Sequence, residues 1–217
     1  QMKLKLKNQT ILITGSGSGI GRGIADGFLK EGASVIITDL NKKSLLKTAE
    51  EFSNQYSEEK ILSFLGDINK PDILESLYQF IIDEAGGVDH LVCNIGSGES
   101  VPPLEEDLSE FQRMLNINLL NSVGIVKKML PLLKSSTQKN SVSKSITFVG
   151  SICGMESIGC PTAYSSSKSA LVSYSKNISR PLGGEGIRVN VVSPGNILFP
   201  GSTWEKKLID NHDKVEE

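Results

Sequence analysis

Two residues of this chain have the types and spacing needed for proton transfer: Tyr164 and Lys168, in the stretch YSSSK. On a helix, residues four apart lie on the same face. A nearby ammonium group favours a tyrosinate and lowers the pKa of a tyrosine, normally about 10, toward neutral pH. Tyr164 would then accept a proton from an alcohol or donate one to a carbonyl. The competing interpretation is a half-buried helix tyrosine beside a solvated lysine.

A glycine-rich turn, TGSGSGIG at residues 14–21, follows a short apolar run and precedes a predicted helix. Its spacing, Gly15-x-x-x-Gly19-x-Gly21, differs from the common G-x-G-x-x-G. Glycines still permit a tight turn and let the backbone approach a pyrophosphate at a helix N-terminus. The turn therefore predicts a nucleotide-binding loop.

An acidic residue, Asp39, ends the second apolar run, 18 residues after Gly21. A carboxylate at this place accepts hydrogen bonds from both ribose hydroxyls of an adenosine and repels a 2′-phosphate. No basic residue replaces it, although Lys42 and Lys43 follow. We therefore predict NAD as the cofactor, with NADP disfavoured. The alternative for Asp39 is a helix cap or a turn, a role for which Asn41 also qualifies.

Short apolar runs alternate with longer amphipathic segments along the whole chain. The pattern predicts strands at 10–14, 33–39, 61–67, 88–96, 144–151 and 186–195. It predicts helices at 23–32, 42–56, 71–86, 108–133 with a break at Leu130-Pro131, and 163–179, and a polar loop at 136–144. This alternation indicates one α/β domain over residues 1–217, a doubly wound, mostly parallel, Rossmann-like sheet with helices on both faces. Ligands bind beyond the carboxyl ends of such strands, where Asp39, Asp67, Asn94, Ser151 and Gly195 fall.

The composition disfavours several classes of partner. There are 23 basic and 25 acidic side chains, a net charge of -2, which predicts neither nucleic-acid nor membrane-surface binding. No apolar run reaches the ~18 residues of a membrane helix, and the N-terminus lacks a signal-peptide pattern. The cysteines (Cys93, Cys153 and Cys160) and the histidines (His90 and His212) show no metal-ligand spacing, so no metal is expected. We predict reduced thiols in a cytoplasmic protein.

Seven short motifs together resemble those of the short-chain dehydrogenase/reductase family, in the family's order and from Thr10 to about Thr203. They are TGSGSGIG, GDI (66–68), CNIG (93–96), INL (117–119), GS (150–151), YSSSK (164–168) and SPG (193–195). The resemblance implies an oxidoreductase that transfers a hydride between a nicotinamide cofactor and a small-molecule alcohol or carbonyl.

The resemblance also implies a role for individual residues. The catalytic group would be Asn118, Ser151, Tyr164 and Lys168, with Ser151 bonding the reacting oxygen and Asn118 anchoring a water. The cofactor would be bound by Gly15, Ser18, Gly19, Ile20, Gly21, Asp39, Leu40, Asp67, Ile68, Asn94, Gly96, Tyr164, Lys168, Pro194, Gly195 and Ile197. Asp67 and Ile68 would meet the adenine, and Ile197 the carboxamide.

Three features depart from the family pattern. Ile95 adds bulk where the family has alanine in Asn-Asn-Ala-Gly. The threonine usual shortly after Pro-Gly is absent from residues 196–201, and Thr203 comes late. The family adds a further helix and strand beyond the position of Glu217. We therefore expect a missing C-terminal part, a homodimer or homotetramer, and a substrate lid formed by residues 196–217.

Two other functions fit the same motifs. A non-catalytic nucleotide-binding sensor or scaffold would not need the four catalytic residues together. A 3-oxoacyl thioester reductase normally prefers NADPH, which Asp39 and the absence of a basic residue at Ser18 disfavour. The predicted pocket walls, at 97–105, 152–160 and 196–204, are mixed apolar and small with few fixed charges, and favour a neutral or moderately polar carbonyl over a dianion.

Overall fold

The computed structural model describes residues 4–139, 144–202, 205, 208 and 209. The strands are β1 (Thr10–Ile13), β2 (Ser34–Asp39), β3 (Ile61–Leu65), β4 (His90–Cys93), β5 (Lys144–Val149) and β6 (Ile187–Val192). The α-helices are α1 (Gly19–Lys30), α2 (Lys42–Gln55), α3 (Pro71–Phe80), α4 (Leu108–Leu115), α5 (Asn121–Lys139) and α6 (Thr162–Gly184).

The strands form one parallel sheet in the order β3-β2-β1-β4-β5-β6. In the middle of the sheet, Ile11 of β1 lies between Val35 of β2 and His90 of β4. The order reverses between β1 and β4, and a crevice for ligands forms at such a switch point. The predicted doubly wound parallel sheet is confirmed.

Strands β1, β2, β4 and β5 are buried on both faces, which explains why they are mostly apolar, whereas the edge strands β3 and β6 are partly exposed. Ile11, Leu12 and Ile13 of β1 are all fully buried, but they face opposite ways because side chains alternate along a strand. Leu12 packs in the core cluster that includes residues of α3, α5 and α6, whereas Ile11 and Ile13 pack with residues of α1 and α2.

Several helix boundaries differ from those predicted. Helix α1 begins at Gly19 rather than residue 23, inside the glycine-rich turn. The predicted helix at 108–133 is divided by a π-helical turn at Asn116–Leu120, and α5 then continues past Pro131 to Lys139. The predicted loop at 136–144 is thus partly helix, and residues 140–143 lie outside the described residues. Helix α6 likewise continues past Pro181.

A buried polar cluster lies at the amino ends of β4 and β5, away from the carboxyl edge. His90 Nδ1 lies 2.8 Å from Ser145 Oγ, and its Nε2 contacts the Gln9 side chain. Burial lowers the pKa of His90 to about 4, so this imidazole is neutral at pH 7. Lys144, fully buried, pairs with Asp89. These contacts hold strands together at the end opposite the predicted site.

Candidate active site

The glycine-rich turn is so tightly folded that a side chain at several of its glycine positions would clash. Gly15 and Gly19 have φ values of 61° and 56°, in the left-handed region that favours glycine. A Cβ placed on Gly21 would stand 2.4 Å from the carbonyl oxygen of Gly15. Because α1 begins at Gly19, the unpaired N–H groups of its first turn are available to an anion. The turn therefore fits a pyrophosphate.

A cavity of about 170 Å³ opens beside this turn at the carboxyl ends of β1 to β4. It brings together seven residues predicted to bind a cofactor: Gly15, Asp39, Leu40, Asp67, Ile68, Asn94 and Gly96. The other lining residues are Thr38, Gly66, Asn69 and Ile95. The cavity is continuous with the glycine-rich turn through Gly15 and has a carboxylate at its rim, as an adenosine site requires.

Asp39 is directed at the glycine-rich turn and does not cap a helix. Its Oδ2 accepts a hydrogen bond from Gly17 N at 3.1 Å, and its Oδ1 accepts one from Asn41 N at 2.8 Å. Helix α2 is instead capped by Asn41, whose Oδ1 accepts from Ser44 N at 3.1 Å. The alternative cap role for Asp39 is therefore wrong, whereas the bond from Asn41 N is that of a turn, and the carboxylate also lines the cavity.

Asn94 fastens the end of β4 to the glycine-rich turn. Its Nδ2 donates to the carbonyl oxygens of Thr14 and Gly15, at 3.0 and 2.9 Å, and its backbone N donates to Thr14 Oγ1. Both side-chain N–H groups are thus committed to the turn. Asp67 Oδ1 accepts from the backbone and side chain of Asn69, at 3.2 and 2.9 Å, and this fixes the far wall of the cavity.

Lys168 is buried, with only 4% of its surface exposed. Its Nζ donates to the Val149 carbonyl oxygen at 2.9 Å, and burial lowers its pKa to about 8. A solvated lysine beside Tyr164 is therefore ruled out. A Cβ on Gly96 would stand 3.0 Å from Lys168 Nζ and 2.7 Å from Asn118 Oδ1, so this glycine lets both side chains approach the cavity.

Asn118 is fully buried in the π-helical turn that joins α4 to α5. Its Oδ1 accepts from Ser97 N at 3.0 Å, and its Nδ2 donates to the carbonyl oxygens of Ser97 and Met114, at 3.1 and 3.2 Å. The amide thus holds the segment that follows Gly96. Ser97 is a contact that the sequence motifs did not reveal.

Ser151 lies just after β5, and Tyr164 lies near the start of α6. Ser151 follows β5, is 7% exposed, and accepts a hydrogen bond on Oγ from Cys153 N at 3.2 Å, so its hydroxyl proton stays available. Tyr164 is half-buried in the first turn of α6, one turn before Lys168. A Cβ on Gly98 would meet the Tyr164 ring at 3.7 Å, which places Gly98 against the tyrosine.

The loop between Ser151 and Tyr164 is closed by a disulfide between Cys153 and Cys160. The prediction of reduced thiols is therefore wrong for these two. It holds for Cys93, which is free and buried, and burial raises the pKa of its thiol. The spacing of seven residues carries no signal for pairing unless the loop conformation is known.

Nine predicted cofactor residues lie outside the adenosine cavity: Gly19 and Gly21 in the turn, Tyr164 and Lys168 on α6, and five others. Ser18 is exposed, and the Ile20 side chain packs against the core. The Pro194 carbonyl oxygen accepts from Ile152 N at 3.1 Å, which sets Gly195 against Ile152. Ile197 is exposed at the surface.

Phe199, which sequence reasoning did not assign, packs on Gly19. Thr203 and most of the predicted lid lie outside the described residues.

Among the described residues, no helix combines the length and apolar character needed to cross a membrane. Their His, Cys, Asp and Glu side chains form no group of three or more that could hold a metal ion.

Comparison with known proteins gives consistent matches. The family profile described as short chain dehydrogenase matches residues 9–207. A diacetyl reductase ((S)-acetoin forming) of Staphylococcus epidermidis is 30% identical over 189 residues, 87% of this chain and 71% of that protein.

Two solved structures share the fold at TM-scores of 0.80 or more. L-sorbose reductase from Gluconobacter frateurii, complexed with NADPH and L-sorbose, has a TM-score of 0.87 at 26% identity. The match covers 99% of this chain and 80% of the reductase chain. 3-Ketoacyl-(acyl-carrier-protein) reductase from Brucella melitensis, complexed with NADH, has a TM-score of 0.80 at 29% identity. The match covers 88% of this chain and 76% of the Brucella melitensis chain.

Proposed function

This chain belongs to the short-chain dehydrogenase/reductase family and is an NAD(P)-dependent oxidoreductase, and from that premise we propose that it uses NAD(H), with Tyr164 as the acid/base group. The observation that carries the proposal is the burial of Lys168 one helical turn beyond Tyr164. Burying an ammonium group is costly. Among the described ion pairs none involves Lys168, so no salt bridge offsets the cost of burying it. This points to a functional role for Lys168 beside the cofactor cavity.

A bound nicotinamide cofactor supplies or accepts the hydride, and the chain's own residues manage the proton. In reduction, the Tyr164 hydroxyl donates its proton to the carbonyl oxygen, and in oxidation the tyrosinate takes it back from the alcohol. The Lys168 ammonium, on the same face of α6, stabilises the tyrosinate electrostatically. The Ser151 hydroxyl donates a hydrogen bond to the reacting oxygen, because its own proton is not used by the bond from Cys153 N.

Asn118 acts on the catalytic residues indirectly, through the backbone of Ser97. Its amide fixes Ser97, next to Gly96, and so sets the gap through which Lys168 reaches the cofactor. The ribose hydroxyls of the nicotinamide half would bind Lys168, and those of the adenosine half would bind Asp39. Asp67 and Ile68 would face the adenine, and Ile197 the carboxamide.

The proposed preference for NAD over NADP rests on Asp39, because the solved neighbours include complexes with NADPH and with NADH and therefore favour neither cofactor. A 2′-phosphate on the adenosine ribose would lie close to the Asp39 carboxylate. Two like charges about 4 Å apart repel by roughly 1 to 4 kcal/mol at dielectric constants between those of water and a protein surface. Among the described residues, no lysine or arginine lines the cavity to offset this repulsion.

The substrate we propose is a neutral or moderately polar carbonyl compound. Exposed apolar side chains occur in the segments predicted to wall the pocket, among them Met155, Ile158, Ile197 and Leu198. Reduction of a 3-oxoacyl thioester is the second candidate, supported by the likeness to the Brucella melitensis enzyme.

We also propose a cytoplasmic homodimer or homotetramer in which the edge strand β6 is covered. Val192 at the end of that strand is 56% exposed. Unpaired apolar edges of this kind are normally covered. Residues 196–217 would serve as a substrate lid.

The decisive experiment follows NADH absorbance with a panel of diketones, sugars, steroids and 3-oxoacyl thioesters, for the parent protein and for Tyr164→Phe. We expect the parent to oxidise NADH with at least one neutral carbonyl and the variant to be inactive with all. Turnover of thioesters with NADPH alone would favour the second candidate. A parent that binds NADH but turns over no member would favour a non-catalytic binding protein.

A further inference from the structure

The ring of Phe199 lies on the glycine-rich turn at Gly19. A Cβ placed on Gly19 would stand 2.7 Å from Cζ and 2.9 Å from Cε2 of Phe199, so the ring edge occupies the space beside that glycine. Both residues are half-buried. Gly19 is the first residue of α1, where the helix presents its free N–H groups.

Phe199 is held in this position by a hydrogen-bonded turn. The backbone N of Ser202 donates to the Phe199 carbonyl oxygen at 2.9 Å, and Phe199 N donates to Ser202 Oγ at 3.3 Å. The same Oγ accepts from Glu205 N at 3.0 Å, and Ser202 is 4% exposed. The preceding residue, Leu198, is instead largely exposed, so the contact with Gly19 is specific to the aromatic ring.

The position of the ring matters because a dinucleotide must place its pyrophosphate at this helix terminus. The adenosine cavity has no contribution from Phe199, so an adenosine can enter while the ring stays in place. A pyrophosphate needs the backbone around Gly19, the surface that the ring covers.

We propose that Phe199 is a gate on the pyrophosphate subsite: the ring must leave Gly19 before a dinucleotide binds, and it thereby sets the cofactor affinity. This inference rests on the proposed use of a nicotinamide dinucleotide. A closed form reduces the apparent affinity in proportion to the open fraction. A gate that is open for about a tenth of the time weakens dinucleotide binding about tenfold and leaves adenosine binding unchanged.

The test measures binding, not turnover, for the parent protein, Phe199→Ala and Phe199→Leu, with Leu46→Ala, at an exposed position of α2, as the control. NADH and ADP-ribose are titrated by calorimetry, and adenosine by ligand-observed NMR. We expect Phe199→Ala to bind NADH and ADP-ribose about tenfold more tightly, with Phe199→Leu in between. Adenosine binding should be unchanged in all variants, and Leu46→Ala should match the parent throughout.

The other possible results overturn either the gate alone or the proposed function as well. Unchanged or weaker binding of ADP-ribose by Phe199→Ala overturns the gate, as does an equal change for adenosine. If the alanine variant does not fold, Phe199→Leu alone decides by the same criterion. If folded parent and variants all fail to bind NADH and ADP-ribose, the proposed function itself fails, and the gate with it.

Discussion

Lys168 Nζ donates a hydrogen bond to the carbonyl oxygen of Val149 at 2.9 Å, and this contact ties α6 to the last residue of β5. Ser151 follows two residues later, and Tyr164 lies one turn earlier on the helix. The contact therefore fixes the relative positions of the two segments that carry the proposed acid/base group and its hydrogen-bond donor.

The buried ammonium predicts a pH dependence of stability. The pKa of Lys168 is lowered to about 8 by burial, below the ~10.4 of an unfolded lysine. Between these values the unfolded chain binds a proton that the folded chain does not, so the free energy of unfolding rises with pH, by at most about 3 kcal/mol. Below pH 8 both states are protonated, and the contribution is constant.

Lys168→Met, which cannot titrate, is the reference for this effect. Urea denaturation between about pH 7 and 10 should show the parent gaining stability relative to the variant only above pH 8. A difference that stays constant over this range would show that Lys168 is not desolvated. Turnover of the variant should be lost at every pH.

Tyr164→Phe should abolish turnover without affecting cofactor binding, because only the hydroxyl carries the proton. Loss of a positioned acid/base group costs on the order of 100-fold or more. Tyr174→Phe, on the same helix but packed against Phe148, is the control and should keep parental turnover. The measurements are NADH oxidation rates and NADH dissociation constants. Turnover of Tyr164→Phe within about threefold of the parent would exclude it as the proton donor.

The cofactor preference should depend on the charge of Asp39. Asp39→Asn is isosteric and retains an acceptor for Gly17 N or Asn41 N, but it carries no charge. We expect the ratio of NADPH to NADH affinity to rise about tenfold, from the repulsion removed. Asp67→Asn, in the same cavity, should leave the ratio unchanged. Tighter binding of NADPH than of NADH by the parent would contradict the assignment.

The sequence predicts the sheet well because its inner strands are buried on both faces and are therefore mostly apolar. Ile11 to Ile13 are an example: they are fully buried and pack into two different core clusters. The carboxyl-end residues follow from the same pattern, since parallel strands bring Asp39, Asp67 and Asn94 to one edge.

Features that depend on tertiary context were not predictable. The π-helical turn at Asn116–Leu120 breaks the 3.6-residue period on which the helix prediction rests, and it carries Asn118. Pro131 removes one backbone donor but does not end α5. The Cys153–Cys160 pair and the contact of Phe199 with Gly19 depend on loop conformations that no local pattern specifies.

The disulfide predicts a thiol count. Under non-reducing denaturing conditions, a thiol reagent should find one thiol per chain, from Cys93, and three after reduction. Replacing Cys153 and Cys160 by serine should lower the free energy of unfolding by about 2 kcal/mol, because the bond restricts a short loop in the unfolded chain. Three thiols without reductant would mean that the cysteines are reduced, as the composition alone suggested.

Gly21→Ala should disrupt the glycine-rich turn, and Gly23→Ala, on the same helix, should not. A Cβ on Gly21 would stand 2.4 Å from the Gly15 carbonyl oxygen and 2.6 Å from Asn94 Nδ2, so the backbone or the Asn94 side chain must move. Overpacking of this kind costs about 1–3 kcal/mol. The displaced Asn94 would also release the turn from β4, and NADH binding should weaken in parallel.

A Cβ on Gly23 meets nothing within 4 Å, and alanine is the better helix former, so this variant should gain about 0.5–1 kcal/mol and keep its NADH affinity. Thermal unfolding and NADH titration of the two variants separate steric exclusion in the turn from a general effect of adding a methyl group to α1. Equal stability and equal NADH affinity in both variants would show that the close approach of Gly21 to Gly15 does not constrain the cofactor loop.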